Sequence, residues 1–191
     1  MQSGQQSIQA DGLRPPPNLS IDVRVRPAVP TDSGHFARIG AATFALACPP
    51  STPPKDLEAY IATELSAARF EQDIACGTKS LFSAEAAEEV VGYMMLCREG
   101  APQAVRAENP LELRRLYAMP QHHGRGVAAS LLAEAITEAI RHANDALWLT
   151  VSVENHRAIN FYRKHGFSAV GEQQFKVGSD IHRDLVMSRS L

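Results

Sequence analysis

One segment restricts the architecture more than any other. Between Val127 and Ile140 apolar side chains recur in pairs, Val127/Ala128, Leu131/Leu132, Ala135/Ile136 and Ala139/Ile140, at the three-and-four spacing of a helix with one broad apolar stripe. A stripe of that width has to be covered by a sheet. Glu134, Thr137, Glu138 and Arg141 are predicted to form its wet face. Just upstream, Leu111–Ala118 reads as a strand, and the stretch Gln121-His122-His123-Gly124-Arg125-Gly126 joins that strand to the helix over 124–142. The first N–H groups of a helix have no intrahelical acceptor and sit at the positive end of its dipole. Glycines beside them accept φ > 0 and let a ligand touch the backbone. The junction therefore predicts a phosphate site, with a plain tight turn as the bland alternative.

The rest of the chain supplies the sheet. Residues 1–20 are rich in Gln, Ser, Gly and Pro and are expected to form a disordered tail. Residues 21–191 are expected to form one domain. In it, Ile21–Arg26 alternates like a strand, a helix follows over Gly34–Ala47, and Cys48–Pro54 (CPPSTPP) should make a rigid surface connection. A second helix is predicted over Lys55–Ile74, then a hairpin from Lys79–Ser83 and Val90–Cys97. After the 124–142 helix come a buried strand at Ala146–Val151, a helix over Asn155–His165 closed by Gly166, and strands at Phe167–Lys176 and His182–Ser188. The class is α/β (α+β): a mixed, mostly antiparallel sheet of about six to seven strands with helices on both faces.

Several functions are excluded by composition. A net charge of −2 with interspersed signs leaves no basic footprint for nucleic acid or an anionic membrane. No apolar run approaches the roughly 18 residues of a membrane span. Cys48, Cys76 and Cys97 are odd in number and far apart, which favours a reducing, cytoplasmic setting over disulfides or a zinc ribbon. Adjacent histidines such as His122 and His123 cannot share a face of a regular element, so no metal is expected and the two read as a solvated loop pair.

A Walker loop requires G-x-x-x-x-G-K-[ST], which is absent. Gly124-Arg125-Gly126-Val127-Ala128-Ala129 matches the letters of the dinucleotide fingerprint, but the nearest acid, Asp145, precedes the next strand instead of ending it. By contrast, Gln121-x-x-Gly124-Arg125-Gly126-Val127-Ala128 resembles the Q/R-x-x-G-x-G/A loop of the GNAT superfamily of N-acetyltransferases. Asn155-x-x-Ala158-x-x-x-Tyr162-x-x-x-Gly166-Phe167 is similar to a second element of that superfamily. Residues 110–191, and more faintly 56–74, resemble the bacterial spermidine/spermine acetyltransferase branch, to whose tail Phe175, Val177-Gly178 and Asp184-Leu185-x-Met187 are similar. Three positions depart: Ser152 and Val153 stand where that branch tends to carry Trp-Glu, and Arg114 where it tends to carry a second Glu.

The resemblance implies acetyl-CoA as the acyl donor. Its pyrophosphate would lie on the amides of Gly124, Arg125, Gly126, Val127 and Ala128, with Gln121 in the same motif. Its pantetheine arm would pair with Leu116, Tyr117 and Ala118. Asn155 and Ala158 would contact it from the second motif, while Arg125, Arg163 and Lys164 would screen phosphates. The partner implied is a small-molecule amine, with polyamines in that class; a homodimer is compatible with the sequence. Amine acylation needs a neutral nucleophile, although amines titrate near 10.4, and it needs a proton for the departing thiolate. Glu112 is the candidate base, its alternative role being a strand carboxylate paired with Arg114. Tyr162 is the candidate acid, its alternative role being core packing with Ala158, Phe161 and His165. Protein N-termini or aminoglycoside-like drugs remain alternative acceptors, and a non-catalytic acyl-CoA-binding module remains an alternative class.

Overall fold

The computed structural model describes residues 21–191; the tail expected over 1–20 lies outside the described residues. Seven strands form one sheet: β1 (Arg24–Pro27), β2 (Lys79–Ala86), β3 (Glu89–Cys97), β4 (Pro110–Ala118), β5 (Ala146–Ser152), β6 (Ser168–Val177) and β7 (Asp180–Ser190), in the order β1-β2-β3-β4-β5-β7-β6. Every neighbouring pair is antiparallel except β4 and β5. On one face, α4 (Val127–Arg141) and α5 (His156–Lys164) cover Leu111, Leu113, Leu147 and Leu149. On the other, α1 (Ser33–Ala47), α2 (Pro54–Glu64) and α3 (Ala67–Ala75) enclose Phe36, Phe70, Tyr93 and Met95. The mixed sheet between two helical layers is the class that the hydrophobic periodicities predict.

Two irregularities in β4 create the site. Its parallel pairing with β5 covers only Pro110–Glu112 against Ala146–Trp148. Beyond Glu112 the two strands diverge and leave backbone edges facing a gap. In addition, Met95 of β3 lies opposite Arg115 while Leu96 lies opposite Leu113, so Arg114 is the extra residue of a bulge. The bulge resets the alternation. Leu111, Leu113, Leu116 and Ala118 join the α4/α5 core, whereas Tyr117 packs in the α1–α3 core and Arg115 lies over the Phe70 ring.

Four expectations need correction. The single helix over Lys55–Ile74 is two, because Leu65 turns into the core and Ser66 caps α3 by accepting the Arg69 N–H at 3.3 Å. The first strand begins at Arg24, later than Ile21. The proline-rich connection is not wholly superficial: Thr52 is buried and its hydroxyl bonds His182 Nε2 at 2.9 Å. On α4 the stripe is rotated from the expected one, with Ile140 61% exposed and Glu138 buried against Arg141 and His142.

The β2–β3 turn places Ala87 and Glu88 at φ 48° and 66°, a tight hairpin without the glycine or asparagine usual there. At the β6–β7 turn Gly178 has φ 60°, and a Cβ there would lie 2.3 Å from Asp56 Cγ. Asp56 accepts from the Ser179 N–H at 3.0 Å and its hydroxyl at 2.7 Å. The hairpin is thereby pinned to the start of α2, which closes one end of the gap.

Candidate active site

The gap between β4 and β5 opens into a cleft of about 790 Å³ that passes between the two helical layers. Its α4/α5 end is built mainly from backbone. Gly126, at φ 97°, is the residue preceding α4, and Gly124 has φ 75°. Ser130 is the first residue of α4 whose N–H finds a backbone acceptor, the Gly126 carbonyl at 2.9 Å. The N–H groups of Val127, Ala128 and Ala129 have none among the described residues, as a helix start requires. A Cβ built on Gly126 meets nothing within 4 Å. The glycine is therefore not demanded by packing; it keeps open a space beside free amides, which suits a pyrophosphate.

The expected donor-binding residues fall into two groups. Leu116, Tyr117, Ala118, Gly124, Gly126, Ala128, Asn155 and Ala158 all line the cleft. Gln121, Arg125, Val127 and Lys164 do not. Gln121 and Arg125 are exposed on the loop outside it, and Val127 is buried in the core, offering only its N–H. Lys164 ends α5 beside a separate surface hollow with Arg106 and Arg189, too far round the helix to be part of the lining. Asn155 caps α5, its Oδ1 accepting the Ala158 N–H at 3.1 Å.

His123 corrects the expectation of a solvated pair. Its Nε2 lies 2.9 Å from the Ala118 carbonyl, which can only accept, so Nε2 carries the proton and Nδ1 accepts from Arg157. Burial and then Arg157 hold this imidazole below its ordinary value, against the opposing Ala118 bond. The neutral ring fastens the end of β4 to α5. It also occupies the Ala118 carbonyl at the end of the open edge of β4.

Tyr162 is 9% exposed, between Phe161 and Phe167 at ring distances of 5.2 and 5.6 Å, yet it borders the cleft. Its hydroxyl has no hydrogen-bond partner among the described residues, and burial pushes its ionisation well above the ordinary phenol range. It is a protonated donor at any ordinary assay pH. Glu112 also borders the cleft and is 8% exposed. Its Oε2 accepts from Arg114 Nε at 3.0 Å and Nη2 at 2.7 Å, so the ion-pair role foreseen for it is realised, while Oε1 is free of protein partners among the described residues.

The other end of the cleft was not foreseen. Phe44 of α1 stacks on Tyr60 of α2 at 4.4 Å, and Tyr60 meets Phe175 of β6 edge-on at 5.8 Å. Beside this aromatic wall stand Arg115 and Asp184. Cys48 lines the same end, its thiol pushed up to about 12 by burial and by Asp184 and Asp180, so it is no thiolate nucleophile. These residues come from five elements and share no spacing, so no single motif marks them; only Phe175 and Asp184 stand among the tail residues that carry the resemblance, and no role attaches to either there. Among the described residues no group of three or more His, Cys, Asp or Glu is arranged to hold a metal, and no helix is long and apolar enough to cross a membrane.

Residues 44–167 match the model of the Acetyltransferase (GNAT) family. The chain is 34% identical over 161 residues to an uncharacterized N-acetyltransferase of Mycobacterium tuberculosis, covering 84% of this chain and 99% of that one. Its fold superimposes on PaiA N-acetyltransferase from Thermoplasma acidophilum in complex with coenzyme A, with a TM-score of 0.74 at 19% identity over 90% of this chain and 100% of the other. A ribosomal-protein-alanine N-acetyltransferase from Brucella melitensis is similar too, with a TM-score of 0.66 at 23% identity over 88% and 99%.

Proposed function

Because the chain belongs to the acetyltransferase (GNAT) family and is an acetyl-CoA-dependent N-acetyltransferase, we propose that it acetylates the primary amine of a small acceptor by direct attack on the thioester. The observation that carries this reading is the cleft itself, with free α4 amides at one end, Tyr162 beside the gap and an aromatic, charged chamber at the other. The glycine loop receives the pyrophosphate, and the open edge of β4 receives the pantetheine arm. That PaiA was crystallised with coenzyme A supports the same assignment here.

In the proposed reaction Glu112, through Oε1 and a water, takes a proton from the bound ammonium. The neutral nitrogen then forms the new N–C bond as the C–S bond breaks. The Tyr162 hydroxyl gives its proton to the thiolate sulfur, and the second proton lost from the acylated nitrogen returns through water to the phenolate, leaving the amide, the free thiol and the phenol restored. A direct transfer is favoured over an acyl-enzyme because the cysteine at the acceptor end, Cys48, stays protonated. Arg69, Lys79 and Arg115 in the lining disfavour the polycationic end of the amine class. Three free cysteines accord with a cytoplasmic setting, and one chain supplies the whole cleft.

The test is free-thiol release from acetyl-CoA with a panel of amines. Amine-dependent release that is lost in Tyr162→Phe supports the reading. Acetyl-CoA binding without release for any amine would return the chain to the non-catalytic class.

A further inference from the structure

Two buried charges of opposite sign line the acceptor end without meeting each other. Arg115 is 9% exposed, and its Nη1 is buried with no hydrogen-bond partner among the described residues. Its nearest carboxylate, Asp73 Oδ2, is 3.9 Å away and is also the counter-ion of Lys79 and Arg69. Arg69 Nε is a second buried donor without a hydrogen bond. Three cations thus share one buried carboxylate, aided only by Glu64 at 3.7 Å from Arg69.

Asp184 is 6% exposed, and its Oδ1 is buried and unpartnered. It lies opposite Ser152 and Gln173 in the sheet, on the face away from Leu185 and Met187, which go to the other core. The charged and titratable groups around it are His182, Asp180 and Cys48. None of them is a lysine or an arginine, and His182 Nε2 is already engaged by Asp180 and Thr52.

An under-compensated charge in a protein interior, or a buried polar atom without a hydrogen bond, is unfavourable unless a ligand supplies the missing partner. Arg115 shares Asp73 with two other cations and Asp184 has no arginine or lysine beside it, so each brings to the cleft a buried polar atom, Nη1 and Oδ1, without a hydrogen bond among the described residues. Both line the same cleft as Tyr60, Tyr117, Phe175 and the proposed proton donor Tyr162.

We propose that the acceptor is a zwitterionic amine of the free amino-acid class, whose carboxylate is held by Arg115 with support from Arg69, and whose ammonium is drawn into the cleft by Asp184 before its proton passes through water to Glu112. This rests on the acetyl-transfer reading of the same cleft. The ligand supplies the two counter-charges that the protein withholds. The stacked Phe44 and Tyr60 and the edge of Phe175 receive an apolar side chain.

The experiment varies the acceptor first, so that it does not depend on a buried variant folding. Phenylalanine is compared with phenethylamine, and leucine with isopentylamine, each pair differing only in the carboxylate, with spermidine as a polycation control. Thiol release is read on the full chain, and acceptor binding is read by calorimetry on the CoA-loaded protein. The proposal expects kcat/KM at least about 100-fold higher for the amino acid in each pair, because a site built for a charged group rejects the analogue lacking it. In Arg115→Gln that ratio collapses below about fivefold through KM, and Arg115→Lys recovers part of it. Equal or better turnover of phenethylamine, isopentylamine or spermidine overturns the proposal while leaving acetyl transfer in place. Amino acids that bind the CoA-loaded protein but are never acetylated, with affinity lost in Arg115→Gln, support the zwitterion site and sink the transfer reading instead.

Discussion

The two ends of the cleft are built by different means. At the α4 end the recognising groups are backbone N–H atoms, displayed by a helix start and two left-handed glycines within one short loop. At the α1–α3 end they are side chains, Arg69, Arg115, Asp184 and an aromatic wall, collected from six elements that span most of the chain. A backbone site suits a ligand part shared by all reactions of a fold, since it is written into the loop geometry. A side-chain site can be rewritten residue by residue. The Thermoplasma and Brucella proteins share this fold at 19% and 23% identity, and a fold by itself leaves the acceptor unspecified.

The largest effect tests the seam between the two ends. Tyr162→Phe removes only the hydroxyl that the proposed chemistry uses and keeps the ring between Phe161 and Phe167. It is expected to lower kcat by about 10²–10⁴ with acetyl-CoA affinity unchanged. Burial keeps the phenol protonated, so the wild-type rate should show no alkaline limb from this group below about pH 10. Stopped-flow thiol release, where chemistry limits, checks both points; near-normal turnover in the Phe variant removes Tyr162 from the mechanism.

Next in size is Gly126→Val, directed at the backbone-built end. The new side chain enters a space that the protein leaves empty, and the residue must adopt φ 97°. Acetyl-CoA affinity is expected to fall by about 10–100-fold, with a stability loss of about 1–3 kcal/mol from the strained backbone. Calorimetric titration with CoA reads the first and urea unfolding the second. Unchanged CoA affinity in a folded variant would make the glycine an ordinary turn residue.

Gly92→Ala is its control. There a Cβ would lie 2.8 Å from the Tyr117 carbonyl oxygen and 2.8 Å from Val127 Cγ1, so this glycine is demanded by the packing of β3 against β4 and α4. The expected outcome is a loss of about 1–3 kcal/mol by overpacking, read as a lower urea midpoint. If CoA affinity instead falls as far as in Gly126→Val, the separation between ligand-facing and packing glycines is lost.

This contrast also explains what the sequence made legible. The α4 stripe, the glycine junction and the Asn155–Phe167 element are local patterns of a few residues, and several of the residues in the last two lie along the cleft. Local pattern could not show that the Pro110–Glu112 pairing stops short and opens the cleft, since strand divergence is a tertiary event. Nor could it show the bulge at Arg114 that turns Arg115 inward, because period-two alternation assumes no inserted residue. Glu138 was misread as solvent-facing for the same kind of reason: its buried place depends on Arg141 and His142 as partners. Asp184 carried a signal only as part of the Asp184-Leu185-x-Met187 tail, with no indication that its carboxylate would be left alone.

The smallest effect probes that isolation. Burial, with His182 opposing, raises the Asp184 carboxyl from 3.8 to about 6. A carboxyl raised in the folded state stabilises the fold relative to its ionised form below its unfolded value, and that contribution is lost as pH rises through the folded value. Stability of the ligand-free protein should therefore decline from about pH 4 to about pH 6 on this account. Asp184→Asn, which cannot ionise, should lack that decline and be the more stable protein at pH 8, by on the order of 1 kcal/mol after allowance for water reaching the cleft. Urea midpoints of the two proteins from pH 4 to pH 8 test the sign as well as the size. A variant less stable at pH 8 would mean that the carboxylate already has a partner in solution. Parallel curves would mean that water solvates it freely. Either result would remove the contrast between an acceptor end that holds unmet charge and a donor end that offers only backbone amides. The expected crossing curves would mean that the fold gives up stability at Asp184, and a saturating amino acid should then restore more stability to the wild type than to Asp184→Asn.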